Sequence, residues 1–150
     1  MPLIALAFVM WQAAAPAPAR VFVTTNPRGP ASDVRDRTQS VKDLHDAFAK
    51  KKKDLTLVED ADIADVVVDV AARTVTMPKI VIGMARPGLP GAGASGPAYD
   101  VHLRVVVRHG AGDPIEFANK NTVLESGGGW QSAAEDVAKQ IEKWIADLGK

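Results

Sequence analysis

Between Tyr99 and Arg108 the sequence alternates in polarity, and this period of two constrains the fold more than any other feature of the chain. Tyr99, Val101, Leu103, Val105 and Val107 face one way, while Asp100, His102, Arg104 and Arg108 face the other. Successive side chains of a strand point to opposite faces, so the segment is a strand with one buried and one wet face. A sheet solvated on one side favours antiparallel pairing, because parallel sheets are covered on both. A second alternating run starts at Val66, with Val66, Val68, Val70 and Ala72 at even positions and Asp69 and Arg73 at odd ones.

Shorter strands surround these two. Val21 to Thr25 is β-branched and aromatic and is broken by the turn residues Asn26-Pro27-Arg28-Gly29-Pro30. Leu55 to Val58 and Ile115 to Asn119 are further candidates, and Lys79 to Ile82, behind Pro78, reads as a bent or edge strand. Two segments have a helical period. Ser40-Val41-Lys42-Asp43 reads as a helix start, with Val41, Leu44, Ala47 and Phe48 on one face and Lys50 to Lys53 at the end. Ser132-Ala133-Ala134-Glu135 reads as a capping box. Trp130, Ala134, Val137, Ile141, Trp144 and Leu148 follow helical spacing until Gly149 closes the segment. The order predicts an α+β fold: a mixed, mostly antiparallel sheet of about four to five strands with two helices packed on one face.

The 150 residues suit one domain. Lys plus Arg and Asp plus Glu both number 18, so the chain lacks the basic field that drives nucleic-acid binding. Cysteine is absent, which excludes disulfides, a thiol nucleophile and thiolate metal sites.

Leu3 to Trp11 is an unbroken apolar run, no charged side chain precedes Arg20, and small residues with prolines fill Ala13 to Ala19. This is the pattern of a secretory signal peptide, although the basic residues that normally open one are missing. Cleavage after Ala19 is expected, since a cut after Ala15 or Ala17 would leave Pro16 or Pro18 directly behind it. An uncleaved anchor over residues 3–15 is the alternative. As a helix it would reach about 20 Å, short of a bilayer core of about 30 Å. The expected organisation is a signal peptide at 1–19 and a single α+β domain at 20–150, with a flexible Gly/Pro loop at 85–98, in the periplasm or secreted. Membrane contact is expected only transiently, through the signal, and with no cysteine near the cut a lipid attached there is excluded.

The element order, the entry Asp62-Ile63-Ala64-Asp65 into a Val-rich strand, the Tyr99-led strand and the final A-A-E-D-V-A-K-Q-I helix resemble the periplasmic N-terminal-type domain of TolB and the related curli-export class. The resemblance covers Val21 to Leu148. It implies a domain that binds other envelope proteins and lacks a catalytic centre.

Candidate sites are few. Gly91 to Gly96 spells G-x-G-x-x-G, but Pro87, Pro90 and Pro97 flank it and a strand follows instead of a helix, so it reads as a loop. Ser126-Gly127-Gly128-Gly129-Trp130 leads into the last helix, where free N–H groups can hold a phosphate or carboxylate against Trp130. His102 and Arg104 share the polar sheet face with Asp100, and Asp69 is a candidate to join them. His45, His102 and His109 have no metal-ligand spacing, and Asp60, Asp62 and Asp65 lack the turn glycine of a calcium loop. No nucleophile motif is present, so no catalytic residue, metal or cofactor is expected. The expected function is that of an exported, non-enzymatic envelope protein binding another envelope protein, through a sheet edge or through the face carrying Asp69, His102 and Arg104. The alternative is a small-ligand or anion-binding periplasmic protein using the Gly127–Trp130 helix entrance, with Gly128 and Trp130 as its binding residues. A hydrolase with an unseen site ranks last.

Overall fold

The computed structural model describes residues 17–50, 55–76, 99–120, 122–124 and 129–150. Along them run β1 (Ala19–Thr25), α1 (Ala31–Ala49), β2 (Leu55–Leu57), a 3-10 turn (Ala61–Ile63), β3 (Val66–Thr76), β4 (Tyr99–His109), β5 (Ile115–Ala118), β6 (Thr122–Leu124) and α2 (Gly129–Leu148). They form one six-stranded sheet ordered β2-β1-β3-β4-β5, with β6 on β4. β1 runs parallel to β2 and β3, and the longer β3–β4 ladder and those of β5 and β6 are antiparallel. The α+β class and the mixed, mostly antiparallel sheet agree with the sequence. The sixth strand, Thr122–Leu124, was not expected, because three residues are too few to show a period. The segments at 79–82 and 85–98, and most of the signal segment, lie outside the described residues.

The valines of the two long strands make the core. Val66, Val68 and Val70 of β3 and Val101, Leu103, Val105 and Val107 of β4 are buried together with Val21 of β1. Both helices cover this one face, α1 with Leu44, Ala47 and Phe48, and α2 with Ala133, Ala134, Val137, Ala138 and Ile141. The alanines bring α2 close to the sheet, and the larger Phe48 fills space beneath α1. Leu148, placed on the apolar helix face by its spacing, is 47% exposed.

Both helices begin earlier than their sequence signals. α1 starts at Ala31, with Pro30 at the N-cap position and Asp33 in the first turn, nine residues ahead of Ser40. The residues between are mostly exposed, so no apolar stripe marks them; the start is set by the fixed φ of Pro30, whose carbonyl accepts from the Val34 N–H at 3.1 Å. Ser40 is thus a buried mid-helix residue rather than a cap. α2 likewise starts at Gly129, so Ser132 lies inside it, and Glu135 accepts from Lys50 Nζ at 2.6 Å and ties the two helices together.

A β-bulge at Ala71 changes which face the end of β3 presents. Val70 pairs with Val105, but Ala72 pairs with Arg104 and Arg73 with Leu103. One extra residue reverses the alternation beyond it. Ala72 therefore moves to the face that no helix among the described residues covers, the helix-free face, and Arg73 turns under the helices. The unbroken alternation from Val66 to Arg73 is corrected accordingly.

The β4 ladder also has a gap between β5 and β6, and Asn119 fills it. Its Oδ1 accepts from the Leu103 N–H at 2.6 Å, its Nδ2 donates to the Val101 carbonyl at 2.8 Å, and its own N–H donates to the Leu103 carbonyl at 3.2 Å. A side-chain amide carries the donor and acceptor of a peptide unit, so Asn119 continues the sheet where the backbone leaves it.

Candidate functional site

The helix-free sheet face brings together three of the five residues singled out in the sequence. Asp69 lies opposite Thr24 of β1 and Val106 of β4, and His102 and Arg104 follow on β4 opposite Thr74 and Ala72. His102 and Arg104 are exposed, and Arg104 stands 3.8 Å from Glu116 of β5. An exposed pair at that distance contributes little to stability. Asp69 differs: it is half-buried, and its Oδ1 is shielded from solvent with no hydrogen-bond partner among the described residues. The positions around it on this face are largely apolar, with Phe22 and Val67 beside it and Val106 opposite, each half-buried. A shielded carboxylate oxygen without a donor is costly, so Asp69 holds an unmet acceptor beneath an apolar surround.

The other two residues lie elsewhere. Gly128 is outside the described residues. Trp130 sits in the first turn of α2 with its ring beneath Arg73, whose guanidinium carbon is 4.0 Å from the ring centroid. Arg73 Nη1 also lies 3.2 Å from the Asp36 carbonyl, 3.1 Å from Ser40 Oγ and 3.3 Å from Asp43 Oδ2. Burial pushes the Arg73 guanidinium below its usual range, and Asp43 and Asp36 oppose that shift. Arginine remains charged throughout. The cluster is a polar joint between β3, α1 and α2. Sequence reasoning missed it because it depends on the bulge at Ala71, which leaves no local signature.

The remaining polar candidates have local roles. Asp60 Oδ1 accepts from the Asp62 N–H and caps the 3-10 turn, and Asp65 accepts from the backbone and guanidinium of Arg20 at 2.7–3.1 Å. Those bonds hold Asp65 down at about 2. Among the described residues no three His, Asp or Glu side chains group as a metal site. Trp144 packs edge-on against Phe117 and His109, so it belongs to the core margin.

No protein family and no curated protein matches the sequence. Solved structures similar to the chain include the rare lipoprotein B from Shewanella oneidensis, 7% identical, with a TM-score of 0.43, covering 87% of this chain and 96% of that one. A minor lipoprotein from Acinetobacter baumannii is 14% identical, with a TM-score of 0.40 and coverage of 87% and 94%. The uncharacterized lipoprotein B from Nitrosomonas europaea is 12% identical, with a TM-score of 0.39 and coverage of 87% and 84%. These neighbours are lipoproteins, not TolB N-terminal or curli-export domains, and the resemblance drawn from the sequence is corrected on that finding. It rested on element order and pattern, which unrelated two-layer α+β domains share, and so did not specify a family.

Proposed function

We propose that the chain is an exported, non-enzymatic protein of the cell envelope that binds another envelope protein through the helix-free face of its sheet. The observation that carries this is Asp69, a half-buried carboxylate whose Oδ1 lacks a donor, set among Phe22, Val67 and Val106. A partner that packs apolar groups over its neighbours and offers an N–H or cationic side chain to Asp69 once its carboxylate turns outward satisfies both features at once. Apolar contact around a satisfied polar group is the usual make-up of a protein interface core.

Export is supported by the apolar run Leu3 to Trp11 and the small-residue stretch behind it. No helix among the described residues is long and apolar enough to cross a membrane.

The test is fractionation of cells carrying the tagged chain, wild type against Asp69→Asn. A mature species beginning near Arg20 in the envelope fraction, with a co-purifying protein lost in the variant, is expected. An intact chain in the cytoplasm, or a partner retained equally by both forms, overturns the proposal.

A further inference from the structure

β1 stops at Thr25, opposite Val70, while β3 continues to Thr76. Among the described residues no strand pairs with Ala71–Thr76 on that side, although β4 pairs with it on the other. A strand paired on one side leaves a row of N–H and C=O groups free to template another. A groove of about 280 Å³ runs beside this edge, lined by Arg28, Gly29, Asp33, Arg37 and the β3 residues Ala71 to Thr74. Val75 adds an apolar surface at its end, 50% exposed.

The charge of the opposite wall selects the occupant. Arg37 Nη2 donates to the Arg28 carbonyl at 2.6 Å and its Nε to the Asp33 carbonyl at 3.3 Å, which fixes the turn and holds a cation in the groove. Gly29 makes that turn possible with φ of 118°, a conformation side chains rarely adopt. Arg28 and Arg35 are exposed, and no ion pair engages Arg28, Arg35 or Arg37 among the described residues. Arg35 lines the adjoining hollow with Asp36 and Arg73. An edge with free backbone groups beside unpaired arginines fits an extended chain with carboxylates at alternate positions.

We propose that the free edge of β3, Ala71–Thr76, takes an acidic, extended segment of a partner protein as an added strand. The site borders the Asp69 face, which Ala72 and Thr74 share, but does not depend on Asp69.

The test uses the folded chain and three dye-labelled eight-residue peptides: threonine alternating with glutamate, threonine alternating with lysine, and the glutamate peptide with alternate backbone amides N-methylated. Methylation blocks strand pairing without altering charge or the protein. Anisotropy should show the glutamate peptide binding at least about tenfold more tightly than either control. Its affinity should fall at least about tenfold in Arg28→Glu/Arg35→Glu, with backbone amide shifts centred on residues 71–76. Both arginines are exposed, and circular dichroism establishes that the variant is folded. Equal binding of the lysine or methylated peptide, no binding of the glutamate peptide, or shifts centred on another surface overturns the proposal.

Discussion

The guanidinium of Arg73 lies over the indole of Trp130, 4.0 Å from ring centroid to guanidinium carbon, and is paired with Asp43 at 3.3 Å. One side chain from the sheet thereby joins both helices. Arg73 and Asp43 are only 12% and 19% exposed, so neither is readily satisfied by solvent when its partner is removed.

Replacing Arg73 with Met should destabilise the fold by about 1–3 kcal/mol, chiefly by leaving Asp43 without its cation. Urea denaturation of Arg73→Met, Asp43→Asn and the double variant checks this. The double variant should lose less than the sum of the single losses, and Trp emission should change in both variants lacking Arg73.

Deleting Ala71 should be less damaging than Arg73→Met. The extra residue goes, and Val70, Ala72 and Arg73 still meet Val105, Arg104 and Leu103, so Arg73 stays under the helices. The loss should stay near about 1 kcal/mol, the cost of straightening β3 locally. Thermal unfolding of the two variants side by side decides the order.

Asn119→Ala should cost about 1–3 kcal/mol, since it strands the buried N–H of Leu103 and carbonyl of Val101. Asn119→Asp should not restore the loss at neutral pH, because a carboxylate cannot donate to the Val101 carbonyl. Amide hydrogen exchange at Leu103 should accelerate in both.

Asp65 gives the fold a pH dependence of known sign. Its hydrogen bonds from the Arg20 side chain and backbone lower it from 3.8 to about 2. A carboxyl depressed on folding stabilises the native state above its unfolded value, and the contribution is lost as pH falls through its folded one. Melting temperature should therefore fall more steeply between about pH 4 and pH 2 in the wild type than in Asp65→Asn. The pair is largely exposed, so the difference should be small and should shrink in high salt.

The long strands were legible because burial of one face writes its period directly into Val66–Val70 and Val101–Val107. The apolar half of α1 and most of α2 were legible for the same reason, through Leu44, Ala47, Phe48, Val137 and Ile141. The first turns of α1 were hidden because Ala31 to Gln39 lie on the surface and carry no apolar stripe. The bulge at Ala71 was hidden because alanine fits either face, so the sequence reads on as if the alternation continued. That one residue separated Arg73 from Asp69, and with it the helix joint from the candidate face. Asp69, His102 and Arg104 were placed together because they lie in segments whose alternation is unbroken. The unmet oxygen of Asp69 has no sequence signal.

The most direct test of the partner-binding account is photocrosslinking in cells, with a photoreactive residue at Val106, opposite Asp69, and as a control at Lys139, on the solvent side of α2. The account predicts one dominant envelope-protein adduct from position 106 and none from position 139. The same adducts from both positions, or an adduct from position 139 alone, would contradict it.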